Sequence, residues 1–134
     1  MINEIPIPTE AEWQVMEVVW SGSEGITSSD IVKTIQQVKD ISKTTIRVLV
    51  KRLVEKGLLD YVVDAHDSRV FHYRALYTRE ECQKAKSKDF VECYFQGNRS
   101  DAIAALVGKE NLSRDQIRNL ESILDPLKGK QEGV

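Results

Sequence analysis

Lys43, Thr44, Arg47, Lys51 and Arg52 recur at a spacing that gathers them on one side of a helix, with Thr45 beside them near its start. From Ser42 to Gly57 five basic residues face a single acid, Glu55, set near the far end. A solvated helix face usually mixes signs. Cations interleaved with hydroxyls suit phosphate oxygens and base edges instead. Residues near the start, Lys43, Thr44 and Thr45, would point into a major groove if the helix docks end-first. Arg47, one turn on, is long enough to fork onto a guanine edge, while Lys51, Arg52 and Lys56 are better placed for phosphates.

Other chemistry finds little support. Catalysis would need a nucleophile beside a base, paired carboxylates on rigid elements or a Gly-rich phosphate loop, and none of these patterns occurs. His66 and His72 are the two imidazoles. His66 reads as a solvated turn residue, and His72, alternating between Phe71 and Tyr73, is expected on a solvent face. Asp64 and Asp67 lie nearby, yet a zinc site needs closer spacing and softer ligands, so neither metal nor cofactor is expected. Cys82 and Cys93 fall in one long predicted helix, about 16 Å apart along its axis, and so read as reduced packing residues.

The basic helix needs elements to position it. Its other side, Ile46, Leu49, Val50, Leu53 and Val54, repeats at i, i+3, i+4, i+7 and i+8, the stripe of a helix lying on a core. Ser42 caps its start, and Gly57 supplies the left-handed residue that ends helices. Upstream, Thr9 and Glu12 form a capping box for a helix bearing Trp13, Met16, Val19 and Trp20, which stops at Ser21-Gly22-Ser23. Ile26 reads as a short strand. Thr27 then opens a second helix through Ile31, Val32, Ile35 and Val38, ending near Lys39-Asp40. Downstream, 58–64 and 70–76 are rich in strand formers around a polar turn, which predicts a hairpin. Helix, helix, basic helix and hairpin in that order predict a winged helix-turn-helix over residues 1–76. Arg69 at the wing could reach an adjacent DNA backbone or minor groove.

Residues 77–134 change character. Thr78 and Glu81 predict a helix to about Gln96 that stops at Gly97, Ser100 opens a shorter helix to Gly108, and Ser113 caps a last one interrupted by Pro126. The tail from Lys128 is polar and expected to fray. Phe90, Tyr94, Phe95, Ile103, Leu106, Val107, Ile117, Leu120, Ile123 and Leu124 are more apolar side chains than three such helices bury alone. A homodimer is the simplest cover. The fold class is therefore mainly α with a small β hairpin, and the C-terminal half is expected to dimerise.

The 134-residue chain is 41% hydrophobic and 30% charged, with a net charge of -2. That balance argues against wholesale polyanion binding, so a nucleic-acid surface must be local. No apolar run is long enough to span a bilayer, and Met1-Ile2-Asn3-Glu4 lacks the order of a signal peptide, so a cytoplasmic location and no membrane partner are expected.

Thr45-Ile46-Arg47 through Arg52-Leu53-Val54-Glu55-Lys56-Gly57-Leu58-Leu59, preceded by Ala11-Glu12-Trp13-Gln14-Val15-Met16 and Val19-Trp20, resembles the penicillinase and methicillin-resistance repressors, a family that includes copper-responsive repressors. The likeness extends over nearly the whole chain, to Tyr94 and to Leu112-Ser113. It implies a homodimeric winged-helix repressor of inverted-repeat, palindromic operators in promoter DNA. Thr44, Thr45, Arg47 and Arg52 match its recognition positions. Three departures stand out. Ile41 occupies a position where the family often has tryptophan, and the tail lacks the Cys-x-Cys pairs of the copper repressors. Ala105-Leu106 stands where the resistance repressors carry a cleaved Asn-Phe bond, so the inducing signal is left open. The acidic wing and overall acidity also keep a second reading in view, a winged-helix protein-interaction module whose basic helix faces an acidic partner.

Overall fold

The computed structural model describes residues 4–22, 25–108 and 112–132. Ser23, Glu24 and the last two residues of the tail lie outside this set. Helices α1 (Glu10–Ser21), α2 (Ser28–Gln36) and α3 (Lys43–Glu55) are joined by the short strand β1 (Ile26–Thr27) and a turn; β2 (Leu59–Val63) and β3 (Phe71–Ala75) follow. Three further helices complete the chain: α4 (Arg79–Phe95), α5 (Arg99–Val107) and α6 (Arg114–Glu132). The predicted hairpin is the larger part of a three-stranded antiparallel sheet, ordered β1-β3-β2, in which Ile26 pairs with Tyr73 and Tyr61 with Tyr73 from the other side. The chain forms two compact units, Met1–Phe90 and Val91–Val134.

The first unit is built on the stripes read from the sequence. Val15, Met16 and Val19 of α1, Ile31, Val32 and Ile35 of α2, and Ile46, Leu49, Val50 and Leu53 of α3 form one buried cluster with Leu58, Leu59 and Cys82. Each apolar side chain so buried contributes roughly 1.5–3 kcal/mol of transfer free energy. Trp13 and Trp20 pack on its edge as a T-shaped pair, ring centroids 5.4 Å apart. Trp20 Nε1 donates to the Tyr77 carbonyl (2.9 Å), and Arg79 lies over the Trp20 ring while pairing with Glu17 (2.8 Å). Through Arg79 and the fully buried Cys82, the start of α4 belongs to this unit. The two compact units divide after Phe90, inside α4.

Several boundaries differ from the sequence expectation. Helix α2 ends at Gln36 instead of Lys39-Asp40, leaving Val38 80% exposed, because Gln36 turns its Nε2 to donate to the Ile41 carbonyl (3.1 Å) and closes the turn early. Helix α5 starts at Arg99, one residue before the expected serine, because Asn98 is the cap that accepts the Asp101 amide (3.0 Å). Helix α6 continues through Pro126 to Glu132, so the proline does not interrupt it. Cys93 is exposed, unlike Cys82.

In the second unit Ala102 is the buried hydrophobic among the described residues, whereas Tyr94, Ile103, Leu106, Ile117, Leu120, Ile123, Leu124 and Leu127 are exposed. Phe95 and Val107 are half-buried there, as is Phe90 at the end of the first unit.

Candidate nucleic-acid interface

Helix α3 is set by caps at both ends. The Ser42 side chain accepts the Thr45 amide (3.1 Å) and its hydroxyl donates to Thr45 Oγ1 (2.9 Å), while Gly57 leaves the helix at φ +81°. Its buried stripe holds the opposite face outward, so Lys43, Thr44, Thr45, Arg47, Lys51 and Arg52 are all exposed. The structure thus brings the six helix residues singled out in the sequence onto one open surface. Thr45 also serves the cap, which fixes its hydroxyl next to the helix start. Ile41, half-buried, packs against the core at the entry to α3.

Lys56 departs from expectation. Its Nζ reaches Glu12 Oε1 at 2.6 Å and the Ile7 carbonyl at 3.3 Å, so it ties the lead-in and α1 to the end of α3 instead of facing phosphate. Burial pushes the Glu12 carboxyl up, but hydrogen bonds from Lys56 and Thr9 outweigh it and hold the group below its ordinary value. A basic residue at the end of a basic face carries no sequence signal of such a partner.

Between α3 and the wing lies a groove of about 560 Å³, bordered by Arg47 and Lys51 on one side, Arg69 on the other and Tyr61, Phe71 and Tyr73 beneath. Tyr61 stacks on Phe71 with centroids 4.4 Å apart, which fixes β2 against β3 and stiffens the floor. Burial pushes the Tyr73 phenol up from its ordinary value, neighbouring Tyr61 adds to this, and the Arg47 guanidinium draws it partly back. Arg47 therefore acts electrostatically on this groove as well as on the outer face of α3.

The wing is less acidic in effect than in sequence. Arg74 pairs with Asp60 (2.6 Å), Arg69 with Asp67 (3.1 Å) and His72 with Asp64 (2.8 Å). Each carboxyl is held below its ordinary range, chiefly by the side-chain hydrogen bond from its basic partner. Arg69 stays exposed at the tip, so its charge is available to a phosphate but shared with Asp67. His72 corrects the expectation of a solvent-facing residue: Nδ1 lies 2.7 Å from the Gly25 carbonyl oxygen and Nε2 faces Asp64. Pairing of β1 along the edge of β3 brings Gly25 beside the ring, and the strand order is what alternation alone could not supply.

A family model described as penicillinase repressor matches residues 8–126. The methicillin resistance regulatory protein MecI of Staphylococcus aureus (strain N315) is 33% identical over 117 residues, covering 87% of this chain and 92% of that protein. The penicillinase repressor of Bacillus licheniformis is 26% identical over 131 residues, 98% of this chain and 99% of that one. Among solved structures, the DNA-binding domain of the repressor BlaI aligns with a TM-score of 0.51 at 28% identity, covering 60% of this chain and 93% of that domain. Monomeric Bacillus licheniformis BlaI in complex with the blaP half-operator aligns with a TM-score of 0.50 at 29% identity over the same shares.

Proposed function

The chain belongs to the penicillinase repressor family, and from that premise we propose that it is a transcriptional repressor, a homodimer that binds an inverted-repeat operator in promoter DNA through α3. The observation that carries this is the outward face of α3: hydroxyls at the helix start, Arg47 one turn on and further cations behind, over a buried stripe that fixes their angle. Lys43, Thr44 and Thr45 enter the major groove, Arg47 reads a base edge, and Lys51, Arg52 and Arg69 meet phosphates. The BlaI complex with a half-operator supports the same mode here.

Dimerisation is supported by the exposed apolar side chains of α5 and α6, Ile103, Leu106, Ile117, Leu120, Ile123 and Leu124, with Phe90, Tyr94, Phe95 and Val107 as further members. Two copies would place their recognition helices in successive major grooves about one helical turn apart. A repressor acts where its promoter DNA lies, which supports the cytoplasmic location expected from the sequence. No helix among the described residues is long and apolar enough to cross a membrane. No catalytic role is proposed. The acidic-partner reading drew on the acidic wing, and with Asp60, Asp64 and Asp67 each paired within the wing it is the weaker of the two.

The test is a mobility-shift titration and footprint on the region upstream of the protein's own gene. A protected inverted repeat, with affinity falling steeply in salt, is expected. Equal affinity for that region and random DNA would overturn the repressor reading.

A further inference from the structure

His72 sits where β3 meets both the start of β1 and the wing turn. Its two ring nitrogens face two acceptors, the Gly25 carbonyl oxygen at 2.7 Å and Asp64 Oδ1 at 2.8 Å. A carbonyl and a carboxylate only accept, and a neutral imidazole carries a single N–H, so both contacts are hydrogen bonds only when the ring is an imidazolium. The approach on the Gly25 side is close: a Cβ added at Gly25 would lie 3.4 Å from that of His72. Asp64 passes the restraint on. Its Oδ2 accepts the backbone amides of His66 (2.9 Å) and Asp67 (3.0 Å), and Asp67 in turn holds Arg69. Of the three acid–base pairs in the wing, only this one has a partner that titrates near neutrality. Asp30, in the first turn of α2, is the other charged group acting on His72, and it too favours the protonated ring.

We propose that His72, clamped as an imidazolium between Gly25 and Asp64, is a positioning residue for DNA binding: it fixes the wing turn that carries Arg69 and cancels the Asp64 charge next to the phosphates. This rests on the DNA-binding reading of α3 and the wing. The hydrogen bond that the ring donates to Asp64, and then the one to the Gly25 carbonyl, raise the His72 proton affinity above its ordinary 6.5. The imidazolium is therefore fully present below pH 6.5 and is lost as pH rises through the raised value, and affinity falls in that direction.

The experiment uses the full chain in two measurements. Nitrogen–proton correlation spectra of the imidazole nitrogens, taken without DNA, are expected to show His72 protonated at both nitrogens at about pH 6 and to lose one N–H at a higher pH than a free imidazole does. Fluorescence anisotropy with a mixed-sequence duplex of about 30 base pairs, at low and constant salt, is expected to show affinity falling roughly three- to tenfold from about pH 6 to pH 8.5. His72→Gln is expected to bind at the weaker level throughout with a flatter profile. Asp64→Asn, which removes the charge but keeps an acceptor for the turn, is expected to retain affinity at high pH, an outcome that a merely structural role would not give. A single N–H on His72 at about pH 6, or a pH profile unchanged in His72→Gln, would overturn the proposal. Absence of any complex at every pH, with the imidazolium intact, would remove the DNA-binding reading and leave the clamp itself standing.

Discussion

Lys56 Nζ lies 2.6 Å from Glu12 Oε1, joining the end of α3 to the start of α1 across 44 residues of sequence. Glu12 is almost fully buried, and its other ties are the reciprocal capping-box bonds with Thr9. The pair therefore ties the C-terminal end of α3 to the start of α1, away from the exposed row Lys43, Arg47 and Lys51.

Replacing Glu12 with Ala removes the box and the carboxylate partner of the Lys56 ammonium. A loss of about 2 kcal/mol is expected, between the cost of a cap and that of breaking a buried ion pair, discounted because Lys56 is partly solvated. Urea denaturation checks it. Because the folded Glu12 carboxyl titrates below its ordinary 4.5, its contribution is present above that value and lost as pH falls through the lowered one. Melting temperature in the wild type should thus drop more steeply below about pH 4.5 than in Glu12→Gln.

Gly57 offers a cleaner backbone test. Its φ is +81° and an added Cβ would meet nothing within 4 Å, so Gly57→Ala introduces left-handed strain without a clash. A destabilisation of about 1 kcal/mol is expected. Thermal melts would show it, and a neutral result would mean that the α3 terminus rearranges.

Arg47 and Lys51 should separate by kind of effect. Arg47→Ala is expected to cost about 1–3 kcal/mol in operator binding and to relax preference at one base pair. Lys51→Ala should weaken all sequences alike and lower the salt slope by about one. Lys56→Met should leave that slope unchanged while lowering stability, since its ammonium is held by Glu12. Titrations on operator and scrambled duplexes at several salt concentrations distinguish these outcomes.

The dimer is tested on α6. Ile123 is 61% exposed in the single chain. Ile123→Glu should shift the wild-type dimer toward a monomer of 15.3 kDa in sedimentation at micromolar protein, with operator affinity falling in parallel. A wild type that already sediments as a monomer would contradict the proposed interface.

Sequence periodicity alone specified most of the first unit. A stripe of apolar residues with a cap at one end and glycine at the other reports local energetics, so α1 and α3 could be read from the sequence, and both wing strands to within one residue at each end. The outward face of α3 followed, since a helix that buries Ile46, Leu49, Val50 and Leu53 must expose Arg47 and Lys51. Tertiary structure alone decided which charged residues had partners. Lys56 and Arg47 look alike in a helical row, yet one meets Glu12 and the other borders an open groove. His72 alternates as a solvent residue would, until a two-residue strand pairs along the edge of β3 and brings Gly25 against the ring. Patterns of period 2 and 3.6 encode which side of an element faces inward. The partners of long polar side chains depend on which distant segment arrives there, and that is fixed only when the core closes.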